Sequence, residues 1–208
     1  MTIETLLGFV LATSALAISP GPDNIYVLMQ SITNGRNYGL ATVAGLISGC
    51  LVHTTLVAFG VSAIIKNNDI LFLILKILGA VYLLYLAYKV YQSDAEVALT
   101  TENTPKKSLW QLFKQGVIMN GLNPEVSIFF LAFFPGFLFS ETLSTVTQFY
   151  VLGLLFMLTS LIIFSAIAVL SGFISEYLKQ NKNTGLVLKW LQIVVFVGIA
   201  IFIFFQKK

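Results

Sequence analysis

Charge is what this chain has least of. Lysine and arginine number 12 and aspartate and glutamate 9 in 208 residues, so charged side chains make up 10%, against roughly a quarter in soluble domains. A water-facing surface cannot be built from so few. The formal net charge of +3 does not indicate a nucleic-acid partner, because the basic residues are scattered among loop ends and form no face interleaved with exposed aromatics. The single cysteine, Cys50, excludes an intrachain disulfide framework or a dithiol relay and reads as a small packing residue. The single histidine, His53, has no accompanying Cys/His/carboxylate spacing, so no metal site is expected. No Gly-x-x-x-x-Gly-Lys-Ser/Thr loop is present for ATP, and no cofactor is implied.

What is abundant is apolar surface. Hydrophobic residues make up 57% of the chain and mean hydropathy is +0.89, which predicts an all-α polytopic integral membrane protein. Six apolar segments are long enough to span, at about 3–33, 39–65, 70–91, 109–140, 146–174 and 186–205. The first and fourth are too long for one simple crossing and predict broken, tilted or partly re-entrant helices. The N-terminal run imitates a signal peptide at Ala15-Leu16-Ala17, but Met1 to Glu4 lacks a basic n-region, so it reads as the first membrane helix.

Only residues 94–108 look like a linker, with Asp94, Glu96, Pro105, Lys106 and Lys107 among small polar residues. The chain thus reads as one transporter domain, 1–208, made of a repeat at about 1–93 and a second at about 109–208. Each repeat starts with a Pro-broken helix, which predicts a 3+3 inverted repeat. Alternating loops place Arg36, Lys89, Lys106, Lys107, Lys114, Lys179, Lys182 and Lys189 on one side and Lys66, Lys207 and Lys208 on the other. The richer side is expected to be cytoplasmic, with both termini outside. Tyr88, Tyr91, Trp110 and Trp190 near the basic ends fit an interfacial belt, and Tyr82, Tyr85, Tyr88 and Tyr91 read as a packed or interfacial stripe, with hydroxyls lining a pathway as the alternative. Lys76 is expected to snorkel. The Gly45-xxx-Gly49 pair reads as helix packing within the chain, with a homodimer seam as the alternative. Thr159, Ser160, Ser165 and Ser171 are expected to satisfy freed backbone.

The two interruptions carry the chemistry. Ser19-Pro20-Gly21-Pro22-Asp23-Asn24 breaks the first segment and Gly121-Leu122-Asn123-Pro124-Glu125 breaks the fourth. Proline removes a backbone donor, and lipid cannot satisfy what a break frees, so such breaks survive only around buried or wet cavities. Corresponding breaks at Pro20, Gly21, Pro22 and Pro124 point to a midplane transport site. An ionised carboxylate at that depth costs about 2.5–3.5 kcal/mol on insertion scales and needs a use. Asp23 is expected to bind a substrate ammonium or to take up a proton when substrate leaves, while N–H groups of the half-helix after Pro22 face a substrate carboxylate. The alternative is that Asp23 and Asn24 only cap that half-helix. Asn123 and Glu125 repeat this logic; if the repeats bring Glu125 to Asp23, their repulsion favours a shared proton or a cationic cargo. His53 relays a proton or bonds a freed carbonyl. A serine hydrolase is excluded, because Gly45 to Gly49 does not form a Gly-x-Ser-x-Gly elbow and Ser48 and His53 are offset on one helix. A noncatalytic scaffold or regulator would not need two matched, acid-bearing breaks.

These residues resemble the LysE/RhtB family of amino-acid exporters, in its homoserine/threonine-exporter-like branch. The resemblance runs through 19–24, Gly35-Arg36-Asn37-Tyr38-Gly39-Leu40, Val52-His53-Thr54-Thr55-Leu56, 78–86, 120–124 and Phe129-Phe130-Leu131-Ala132-Phe133-Phe134-Pro135, which together span nearly the whole chain. It implies a small multi-pass exporter in the bacterial inner membrane, driven by proton antiport, whose partners are an amino-acid-like substrate, protons and the bilayer. Asp23, Asn24, Asn123, Glu125 and His53 are the expected substrate-binding or proton-coupling residues. One departure stands out: the branch usually has Asn-Pro-Lys where this chain has Asn123-Pro124-Glu125. The inversion implies substrates of extra positive charge or a different protonation requirement.

Overall fold

A computed structural model describes residues 2–63, 69–93, 107–181 and 184–205. Residues 94–106 of the expected linker lie outside them, as do Lys66, Lys182, Lys207, Lys208 and the side chain of Lys179. Among the described residues all regular structure is helical. The first segment is two helices, α1 (Ile3–Ile18) and α2 (Pro22–Asn34), bent by 59° at the proline break. Gly35 follows with φ 101°, a conformation left essentially to glycine, and turns the chain directly into α3 (Arg36–Leu56). A π-turn at Val57–Val61 extends α3, and α4 covers Asp69–Gln92.

The second half repeats the opening. Helix α5 (Leu109–Gly121) starts at a reciprocal capping box, in which Ser108 Oγ accepts from Gln111 N and Gln111 Oε1 accepts from Ser108 N. After the break, α6 (Pro124–Ile128) runs into a π-turn at Phe129–Phe133 and a 3₁₀ turn at Phe134–Phe137, bent by 48° from α5. Helix α7 (Thr145–Val169), short α8 (Ser171–Gln180) and α9 (Thr184–Phe205) complete the chain. Among the described residues four helical runs are long and apolar enough to cross a membrane, or up to six if each bent pair is one span.

The fifth expected segment, 146–174, is not one helix. Leu170 leaves helical geometry at φ −89°, ψ 9°, and α8 begins anew with its serines Ser171 and Ser175 buried and Phe173 and Tyr177 turned outward. That arrangement suits a helix lying in an interface. Along α7, Thr159 Oγ1 donates to Leu155 O of its own helix at 2.9 Å and Ser160 Oγ has no partner in the protein, so the bonds that hold the breaks come from other residues. Lys76 also departs from expectation: it is buried, with its ammonium 5.7 Å from the Phe72 ring centre, where a lipid-facing stem would have snorkelled.

Small residues set the closest approaches. A Cβ on Gly45 would collide with the Phe113 carbonyl, and one on Gly49 would stand 2.8 Å from Asn120 Cβ, so this pair faces α5 inside the chain. Helix α3 also packs on α2 and α7, and α4 packs on α9. The buried apolar residues fall into two clusters. The larger is rich in phenylalanine, with Phe9, Phe129, Phe130, Phe133, Phe134 and Phe149 fully enclosed; the smaller joins Ala17, Val27, Val43, Leu46, Phe164 and Ala168. Gln148 pins the connection into α7, accepting from Phe139 N and Ser140 N and donating to Ser140 O and Leu143 O, so both ends of its buried amide are used.

Gly45→Ala should destabilise the fold by about 1–3 kcal/mol, because backbone and not a flexible side chain must yield. Gly198→Ala, where a Cβ meets nothing within 4 Å, should stabilise by roughly 0.5–1 kcal/mol by removing a helical glycine. Thermal unfolding of the two purified variants in detergent checks the opposite signs.

Candidate functional site

The prolines sit where a helix tolerates them. Pro22 and Pro124 each occupy the first turn of a half-helix, where the missing N–H would have no intrahelical partner. Their cost falls on the preceding helices. The Asn120 carbonyl would ordinarily accept from the residue four places on, but that residue is Pro124. Asn123 N donates to it instead at 2.9 Å, and His53 adds a second partner, its Nε2 lying 2.8 Å from the same oxygen. A carbonyl only accepts, so Nε2 carries a proton, and Nδ1 faces Ser127 Oγ at 3.4 Å. In the first break Asn24 Nδ2 donates to both Ala17 O at 2.8 Å and Ser19 O at 3.0 Å. Of the two roles expected for His53, the carbonyl bond is the one this geometry contains.

Asp23 behaves differently from a cap. Helix α2 is capped by Gly21 without a side-chain bond, and the Asp23 carboxylate instead reaches across to the other break. Its Oδ2 accepts from Asn120 Nδ2 and Asn123 Nδ2, both at 3.3 Å. Asp23 is only 6% exposed, and neither donor carries a charge. Capping is therefore not the role of Asp23, whereas Asn123 does cap α6, its Oδ1 accepting from Glu125 N at 2.9 Å.

Glu125 stands across the same space. Its Oε2 lies 3.4 Å from where a Cβ on Gly21 would be, and it is in electrostatic reach of Asp23 and of the Gln192 side chain of α9. The breaks thus bring Asp23, Asn24, Asn123 and Glu125 to one cavity, with Ser19 from the first break and Ser160 from α7 completing its polar wall. His53 does not line it. The cavity holds about 40 Å³ of free space, against roughly 10–15 Å³ for one water by the same measure. It is closed to anything the size of an amino acid.

Several participants carry weaker signals in the sequence. Asn120 has a legible one, lying four residues before Pro124, where the orphaned carbonyl must fall. Gln192 is a polar interruption in the apolar run of α9. The meeting of Ser127 with His53 has no local signal. The tyrosine stripe divides: Tyr85, Tyr88 and Tyr91 are exposed, with Tyr91 packed edge-on to Trp190, while Tyr82 lies within electrostatic reach of Glu125. Ser48 bonds its own helix at Ala44 O, as a residue without a catalytic partner would.

Replacing His53 by leucine should cost about 0.5–1.5 kcal/mol, the loss of one buried hydrogen bond to a carbonyl that keeps Asn123 N as its donor. Glutamine there should recover part of it, and melting temperatures of the two variants against wild type decide the matter.

Comparison with known proteins places this arrangement. The family model described as LysE type translocator matches residues 14–207. The homoserine/homoserine lactone efflux protein of Salmonella typhi is 30% identical over 183 residues, 88% of each chain. Its counterpart in Salmonella typhimurium strain LT2 is 29% identical over the same share. No solved structure matches the chain significantly.

Proposed function

The chain belongs to the LysE type translocator family, and on that premise we propose that it is a secondary-active exporter of amino acids or their derivatives, working by proton antiport across the bacterial cytoplasmic membrane. Family membership makes it a translocator and not an enzyme. The observation that carries the proposal is Asp23, a buried carboxylate held between two helix breaks by neutral amides alone. Such a group needs a positive partner at some point in a cycle. A proton and a substrate ammonium are alternative partners for it, and their mutual exclusion is what antiport requires.

The cargo follows from size and charge. The Salmonella relatives carry homoserine and its lactone in their names, and small amines of that kind are the first solutes to test. Glu125, where the resembling branch has lysine, adds a second acid beside Asp23 and favours cationic cargo, including small cationic metabolites outside the amino acids.

Alternating access would use the breaks as hinges within a single domain of two inverted repeats, with the basic loops cytoplasmic. The packing of α3 on α7 and of α4 on α9 supports this, since an inverted repeat would exchange the members of each pair. The phenylalanine cluster on one side of the polar layer and the smaller apolar cluster on the other would then serve as the two barriers.

In cells preloaded with labelled neutral and basic amino acids, wild-type protein should accelerate efflux. Asp23→Asn at matched membrane levels, or an uncoupler, should reduce that efflux to the background rate. Uncoupler-resistant efflux would remove the proton coupling, and full activity of Asp23→Asn would remove the site. Glu125→Lys should shift preference from basic toward neutral amino acids in the same assay; identical profiles would show that the charge inversion does not select cargo.

A further inference from the structure

The two stretches that follow the breaks are built unlike each other. Helix α2 leads from the cavity to the Arg36 turn on the basic side, and the stretch 124–137 leads from the same cavity to the loop at 140–144. Beyond Ser127 the second stretch carries no polar side chain as far as Phe137. Its rings interleave with those of α1 and α7: Phe130 stacks on Phe134 with centroids 4.0 Å apart, Phe9 meets Phe134 edge-on at 5.1 Å, and Phe156 meets Phe130 edge-on at 4.8 Å. A charged cargo would lose its hydration in such a layer without recompense, so this end of the cavity is shut.

Helix α2 has the opposite character. Asp23, Tyr26, Gln30 and Asn34 recur at intervals of three and four, which puts them on one side of the helix. Val27 and Ser31 on the adjoining side are buried against α3 and α7, while Ile25 on the far side is 36% exposed. A helix held only by packing has no use for such a stripe inside a membrane, where polar positions mark pathways. Its members are sheltered, Asp23 fully and the other three in part. Its outer end is linked, Asn34 Nδ2 donating to Gln30 Oε1 at 3.1 Å. Tyr26 stands between that pair and the acid. Its Oη is cut off from solvent and has no hydrogen-bond partner, although the Gln30 side chain is within electrostatic reach. A buried phenol ordinarily finds a partner; this one is placed to meet what passes between the amides and Asp23.

Resting on the reading of this cavity as the transport site, we propose that the polar face of α2 is the hydrated route by which cargo enters from the cytoplasmic side, with Tyr26 as the gate at its inner end. Cargo exchanges water for the amides of Asn34 and Gln30, passes the phenol and reaches Asp23. Of the two barriers, the one beside α2 is flanked by polar groups and opens to the cytoplasm, while the phenylalanine layer stays shut in the state this structure shows.

Cysteine accessibility of the full chain in membrane vesicles tests this. The probe is a membrane-impermeant cationic methanethiosulfonate, which needs a hydrated thiolate and spares thiols facing lipid. The unsubstituted chain sets the background, since Cys50 is 2% exposed. In inverted vesicles Asn34→Cys and Gln30→Cys should react at least tenfold faster than Ile25→Cys and Ile32→Cys; in right-side-out vesicles none of the four should exceed background. Cys50 lines the cavity and so reports on the gate. Tyr26→Ala should raise its labelling in inverted vesicles at least tenfold, and Ile25→Ala should not. The cysteine scan keeps Tyr26 and decides the route even where Tyr26→Ala does not fold. Equal rates at polar and apolar positions, faster labelling in right-side-out vesicles, or a folded Tyr26→Ala chain with Cys50 still unreactive would each overturn the inference. Failure of the exporter reading is distinguishable: proteoliposomes would move no amino acid or amine while the labelling pattern held, and the α2 face would then be a wet cleft that carries no cargo.

Discussion

A single carboxylate ties the two halves of this molecule together. Asp23, in the first turn after one break, accepts hydrogen bonds from Asn120 before the other break and Asn123 within it. Both amides are then committed on their other faces as well: Asn120 Oδ1 accepts from Cys50 Sγ at 3.4 Å, and Asn123 Oδ1 caps α6. Remove the carboxylate's role and the amides lose their orientation, the α6 cap loosens and the two broken helices no longer share a centre. A neutral cradle of this kind positions a charge without cancelling it, whereas a buried ion pair would. On the proposed antiport reading, that charge is what a proton or a substrate ammonium would meet.

Around that centre the breaks are repaired in unlike ways. Asn24 reaches backward to the carbonyls of Ala17 and Ser19, whereas the second break keeps Asn123 N on the Asn120 carbonyl and adds His53 from a different helix. Repair from within the same segment lets α1 and α2 move with their polar bonds intact. Repair from α3 couples the α5 terminus to a helix that is itself locked to α5 by Gly45, Gly49 and Gly116. The first break is thus mechanically the freer of the two, and the π-turns that follow α3 and α6 add backbone of weaker hydrogen-bond geometry on the far side of the polar layer.

Much of the architecture is readable along the chain. Hydropathy locates the crossings, and excess length together with Pro20, Pro22 and Pro124 locates both bends. Asp23, Asn24, Asn123 and Glu125 stand out because a charged or amide residue at a break inside lipid is costly unless it serves a polar site, and all four line one cavity. Local pattern misleads where the outcome depends on neighbours. It joins α7 to α8 because Leu170 looks like any helical leucine, and it gives the serines of α7 a uniform repair role although Ser160 has no partner. Distance from a helix end puts Lys76 at the surface, a rule that knows nothing of which face is covered.

The division has a physical basis. Hydrophobicity, helix length and the missing N–H of proline are properties of the chain itself, so the sequence alone determined that this is a membrane bundle with two interrupted helices, and that each interruption leaves carbonyls in need of donors. Which donors answer is a matter of distance between segments far apart in the chain. Only the tertiary structure decided that His53 would meet Asn120, that Asp23 would reach past its own helix to the second break, and that the hydroxyls of Ser19 and Ser160 would face a shared cavity with nothing in the protein to bind.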